Sequence, residues 1–143
     1  MKSPWPISIL VLTALCFSGA TRTEPARAPA ASPDDVQGIN VTAKKYEFDP
    51  SPIRVKQGAR VQLKITATDH VHGFRLSETA DGSDAKGKPG LAFTSGQGCT
   101  RLEEGKTGTV EFVPQAAGTY QIKCCVYCGW KHKGMKGELV VEP

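Results

Sequence analysis

Val61-Gln62-Leu63-Lys64-Ile65-Thr66-Ala67 alternates apolar and polar residues without a break. Alternation of period two sends successive side chains to opposite faces of an extended chain, so this stretch reads as a half-buried β-strand. The flanking sequence has the same character. Upstream, residues 40–48 alternate loosely, Asp49-Pro50-Ser51-Pro52 breaks the pattern, and residues 53–55 form a short apolar run ended by Gln57-Gly58. Downstream, residues 72–76, 107–113, 119–123 and 137–141 read as further strands. A Gly-, Asp- and Lys-rich loop over residues 80–90 and a turn over 114–118 separate them. Many short strands with no helical period predict an all-β fold, a two-sheet β-sandwich.

Composition agrees with this. The chain has 143 residues, enough for one domain around one core, and its 15 glycines, 10 prolines and 7% aromatics suit a turn-rich β protein. The net charge of +4 is spread along the chain. No basic block or basic-aromatic stripe points to nucleic acid.

The N-terminus reads as an export signal. Lys2 precedes an apolar run over residues 7–17, and Ser18-Gly19-Ala20 supplies the small residues of a cleavage site. That run is too short to cross a bilayer, which takes about 20 residues. Residues 1–20 are therefore expected to be a signal peptide rather than an uncleaved anchor. Leu15 before Cys16 argues against lipid attachment at that cysteine. Residues 21–38, with Pro25, Pro29 and Pro33 and no apolar period, are expected to be a flexible linker. The folded domain is expected over residues 39–143. Such a chain belongs in the periplasm or on the outer face of the cytoplasmic membrane, touching the bilayer only through an N-terminal anchor or a partner complex.

Of the five cysteines, Cys99, Cys124, Cys125 and Cys128 lie beyond the signal. Exported cysteines usually pair, but the crowding of three between residues 124 and 128 is poor geometry for structural bridges. Cys124, Cys128, His132 and Met135 follow the pattern C-x-x-x-C-G-x-x-H-x-x-M. Thiolates, an imidazole and a thioether in one loop form a soft to borderline ligand set that suits copper better than magnesium or calcium. Two thiolates in one loop also allow a pair of bridged ions. The loop alone cannot enclose a metal, and Asp69-His70-Val71-His72-Gly73-Phe74 offers a distant ligand. His72 is the candidate, because it opens a strand that would hold its ring rigidly.

The loop resembles the copper loop of the binuclear (CuA) domain of cytochrome c oxidase subunit II and of nitrous oxide reductase. Asp69-x-x-His72-Gly73-Phe74 resembles that family's upstream histidine motif, and Ala117-Gly118-Thr119-Tyr120 suits a cupredoxin. The likeness covers roughly residues 39–143. It implies a Greek-key cupredoxin-like sandwich with two copper ions per chain and one-electron transfer. By the same resemblance Cys124 and Cys128 would bridge the ions, and His72 and His132 would each ligate one. The Met135 sulfur and the Val126 carbonyl would be weak ligands on opposite sides. A redox protein such as a c-type cytochrome would be the donor, and a terminal oxidase or reductase the acceptor. Because these ligands fill both ions, the chain alone is not expected to be an enzyme. It departs from the family by carrying Cys125 where Ser is common. Cys125 should point away from Cys124, and a bridge to Cys99 stays open.

Other readings stand beside this one. A redox disulfide, or a thioredoxin-like copper-delivery motif, would need a βαβ context and a distant histidine, whereas His132 follows in the same loop. A mononuclear blue copper site would use His72, Cys128, His132 and Met135. A copper storage or delivery protein would hold exchangeable Cu(I). His70 reads as a solvated histidine, Trp130 as packing or an electron entry point, and Lys131, Lys133 and Lys136 as a solvated rim that would suit an acidic partner.

Overall fold

The computed structural model describes residues 36–81 and 88–143. The expected signal peptide and most of the expected linker lie outside the described residues. Ten strands form: β1 (Val36–Lys44), β2 (Glu47–Asp49), β3 (Ile53–Lys56), β4 (Arg60–Ala67), β5 (His72–Leu76), β6 (Leu91–Ser95), β7 (Thr100–Leu102), β8 (Thr107–Pro114), β9 (Gly118–Lys123) and β10 (Lys136–Glu142). One turn of 3-10 helix (His132–Gly134) is the only helical element among the described residues.

The strands make two five-stranded sheets, ordered β2-β1-β4-β8-β6 and β3-β10-β9-β5-β7. The all-β sandwich expected from the alternation is the fold observed. The decisive strand β4 is central in its sheet, parallel to β1 and antiparallel to β8. Its Val61, Leu63, Ile65 and Ala67 are fully buried. Tyr120 and Ile122 of β9 and Leu139 of β10 meet them from the other sheet in one apolar core. Burial of this area is the main force holding the layers together.

Three details differ from the sequence reading. β1 begins at Val36 and pairs with β4 from that residue on, so backbone pairing extends into the last residues of the expected linker. β6 and β7 are not legible in the sequence. β6 is an edge strand with a register shift between Phe93 and Ser95 and little alternation. β7 is only three residues long, too short to carry a period.

The architecture sets up the site through one hairpin and one neighbour. β9 and β10 are antiparallel, with Lys123 opposite Lys136, and the Cys124 amide donates to the Met135 carbonyl at 3.1 Å. The whole sulfur-rich segment is thus a loop closed at its base. β5 runs beside β9 and delivers His72 to the same end of the sandwich. Tyr120 is buried and donates its hydroxyl to the Ala116 carbonyl at 2.8 Å, tying the turn before β9 to the strand. Tyr120→Phe is expected to cost about 1 kcal/mol in urea unfolding of the metal-free protein, with the fold retained.

Candidate metal centre

Cys124 leaves β9 into the loop and Met135 re-enters at β10, so both side chains start from paired backbone. Cys124, Cys128 and Met135 are buried and His72 has no exposed surface, while His132 is half-buried. The Cys124 and Cys128 sulfurs lie 3.3 Å apart, and neither is in a disulfide. The Cys124 sulfur is 3.1 Å from the Val126 carbonyl oxygen. The Cys128 sulfur is 3.6 Å from His132 Nδ1 and 3.8 Å from the Met135 sulfur. The ligand atoms of His72, Cys124 and Cys128 all lie within 4.8 Å of one another. The structure therefore gathers all six sequence-named positions at one end of the fold: His72, Cys124, Val126, Cys128, His132 and Met135.

His72 gives the clearest test of fit. Its Nε2 is 2.7 Å from Asp69 Oδ1, a partner that can only accept. In the neutral ring Nε2 therefore carries the proton and Nδ1 presents a bare lone pair. That Nδ1 is the one buried side-chain nitrogen or oxygen among the described residues with no hydrogen-bond partner. An orphaned buried acceptor is costly, and a soft cation beside two thiols would satisfy it. The donor set is right for copper: two sulfurs, a thioether and two imidazoles, with one carbonyl.

Asp69 organises this end of the molecule. It accepts from His72 Nε2, from His70 Nδ1 at 2.9 Å and from the Lys45 amide at 2.8 Å. Partial burial would raise its pKa, but these hydrogen bonds, His72 foremost, outweigh it and hold the carboxyl well below the usual range. The Cys128 thiol moves the other way, pushed up to about 12 by burial and then by the adjoining Cys124 sulfur. Without a cation the pocket keeps the Cys128 thiol protonated, so metal uptake there must displace a proton.

Two features extend the sequence reading. His70 is half-buried rather than solvated: its Nε2 is 2.7 Å from the Cys128 carbonyl oxygen and its Nδ1 meets Asp69. Both partners are acceptors, so the ring satisfies both only when each nitrogen carries a proton. Only the placing of two histidines around one aspartate hinted at this. Cys125 is bonded to Cys99, which stands just before β7. That disulfide ties the start of the sulfur-rich loop to the edge of the sheet and leaves Cys124 and Cys128 as the free thiols among the described residues.

Gly73 shows how closely the loop is seated. A methyl group there would lie 2.5 Å from the Val126 amide nitrogen and 2.7 Å from the Cys125 sulfur. Gly129 has φ +118°, and a methyl group there would come within 2.8 Å of the Tyr46 hydroxyl. Both positions need glycine.

Residues 7–141 match the cupredoxin-like domain family. The chain is a cupredoxin. This cupredoxin is 29% identical over 119 residues to cytochrome c oxidase subunit 2 of Thermus thermophilus, covering 83% of this chain and 76% of the relative. For a second, longer subunit 2 from the same species the identity is again 29%, but the cupredoxin spans only 61% of that relative's length. Among solved structures it resembles the periplasmic domain of subunit II of cytochrome oxidase from Bradyrhizobium japonicum. There the TM-score is 0.54 and the identity 15%, over 74% of this chain and 83% of that one. It also resembles reduced auracyanin from Roseiflexus castenholzii, with TM-score 0.51 and 25% identity, over 75% of this chain and 98% of that one. The cupredoxin fold and the relationship to oxidase subunit 2 imply copper.

Asp69→Asn is expected to weaken copper binding by about 10–100-fold, read by competition with a chelator. It should also destabilise the metal-free cupredoxin. Because the folded pKa of Asp69 is depressed, its contribution is fully present above the ordinary value near about 4 and is lost as pH falls below it. The stability gap between wild type and the variant should be widest near about pH 7 and shrink by about pH 3.

Proposed function

We propose that this cupredoxin transfers single electrons through a two-copper centre held by His72, Cys124, Cys128 and His132, with the Met135 sulfur and the Val126 carbonyl as weak ligands. The observation that carries this reading is the pair of free, buried sulfurs 3.3 Å apart, each with its own further donor. Cys124 faces the Val126 carbonyl, while Cys128 faces His132 and Met135. A mononuclear site needs only one of these thiolates and would leave the other buried beside it unused.

Bound copper supplies a one-electron redox couple. The chain's own part is to hold the donors still and keep water out. Asp69 fixes the His72 ring and its tautomer, and the His70 contact to the Cys128 carbonyl and the Cys99–Cys125 bridge restrain the loop. The donors named fill the site and leave no position for a substrate, so the chain is a carrier or an electron-entry domain. The name of its Thermus relatives supports a place beside a terminal oxidase, with a c-type cytochrome as donor and the oxidase as acceptor. An exported, periplasmic location, with residues 1–20 as signal peptide, residues 21–38 as linker and residues 39–143 as the domain, rests on the N-terminal sequence pattern. No helix among the described residues is long and apolar enough to cross a membrane.

A second reading, a mononuclear blue centre using His72, Cys128, His132 and Met135, draws support from auracyanin A, a blue copper protein of the same fold. Copper quantitation with EPR separates the two. The two-copper reading expects two ions per chain and a signal split by two equivalent nuclei. One ion per chain with a blue absorption would overturn it. Cys128→Ser should abolish the coloured centre under both readings. Cys124→Ser should abolish it only under the first.

A further inference from the structure

Three cations stand side by side on the solvent face of the β3-β10-β9-β5-β7 sheet. Lys123 of β9 lies opposite Lys136 of β10 on one side and opposite Arg75 of β5 on the other. All three are exposed. Like charges set directly across strands weaken a sheet, and none of the three forms an ion pair among the described residues. Glu138, the next outward residue of β10, stands opposite Gln121 rather than a cation. Asp81 lines the same surface pocket as Arg75 and Lys123, and Glu138 the same pocket as Lys136, but neither comes within ion-pair distance of them.

The position of this row is informative. Lys123 immediately precedes Cys124 and Lys136 immediately follows Met135, so the row marks the base of the metal loop. Lys131 and Lys133 carry exposed positive charge into the loop, and residues 118–137 contain no Asp or Glu. The same loop carries the two most exposed large apolar side chains of the described residues, Trp130 at 86% and Tyr127 at 73%. The Tyr127 ring lies 5.9 Å from that of His132. Exposed aromatics inside a charged rim have the anatomy of an interface centre, and the rim sets encounter rate and partner choice.

We propose that this face docks an acidic redox protein, one whose carboxylates surround the exposed edge of its own redox group. Trp130 and Tyr127 form the apolar centre of the contact, and Arg75, Lys123 and Lys136 its cationic border. One electron passes from the reduced partner to the oxidised, copper-loaded domain, or in reverse, with no bond made or broken. The inference rests on the electron-transfer reading above and names the chemistry of the partner that reading requires.

The test is stopped-flow electron transfer between the copper-loaded protein and two probes, an acidic c-type cytochrome and a basic one. The acidic probe should react faster at about 10 mM salt and slow down toward about 200 mM, where screening is strong. Lys123→Glu/Lys136→Glu should lower the acidic-probe rate about tenfold or more at low salt and reverse the preference. Copper content and EPR signal should be unchanged. If wild type shows no copper signal, the electron-transfer reading itself fails and the docking proposal falls with it. If the signal is intact but the probes react alike, or the double variant changes neither rate, the docking proposal alone is overturned. Sedimentation with phosphatidylglycerol vesicles, combined with no preference between probes, would instead assign the row to an anionic lipid surface.

Discussion

A single hydrogen bond, from His72 Nε2 to Asp69, fixes what this end of the sandwich can do. It commits the imidazole proton to one nitrogen and leaves the other, with no exposed surface, facing a space bordered by two free thiols. A buried acceptor without a donor is unfavourable, and two buried free thiols stand beside it. Together they form a cluster of donors that a soft cation would satisfy. The donors therefore stand together without a metal between them.

The sandwich makes that arrangement possible by dividing the work between two parts of the chain. A β-hairpin closes the sulfur-rich loop on itself, with the Cys124 amide bonded to the Met135 carbonyl. The neighbouring strand β5 contributes the histidine at its first residue, and Gly73 lets the loop settle against the strand where any side chain would collide. The Cys99–Cys125 bridge ties the same loop to a third segment. Donors fixed from several elements of a rigid scaffold move little, and small rearrangement favours electron transfer over substrate chemistry. The chain's kinship with oxidase subunit 2 and the cupredoxin fold accords with that division.

Much of this was legible in the residues because the signals were strong and local. The strict alternation of Val61–Ala67 reports a strand buried on one face, and that strand is central in its sheet. The order of Cys124, Cys128, His132 and Met135 carries chemistry that needs no tertiary knowledge to suspect. What escaped the sequence depends on distance across the fold. β6 and β7 are short or bulged edge strands held by their neighbours rather than by their own period. The bond from His70 to the Cys128 carbonyl spans 58 residues, and the Cys99–Cys125 bridge, named as a possibility in the sequence, needed the fold to bring together ends 26 residues apart. Neither can be inferred from spacing. The row of Arg75, Lys123 and Lys136 becomes visible only when strand register sets three separate cations abreast.

X-ray absorption at the copper edge of the loaded protein tests the central claim most directly. A site built around both free thiols and the bare nitrogen of His72 should give each copper two sulfur neighbours and one imidazole, together with scattering from a second copper. A spectrum showing one copper with a single short sulfur contact and two imidazoles would contradict it.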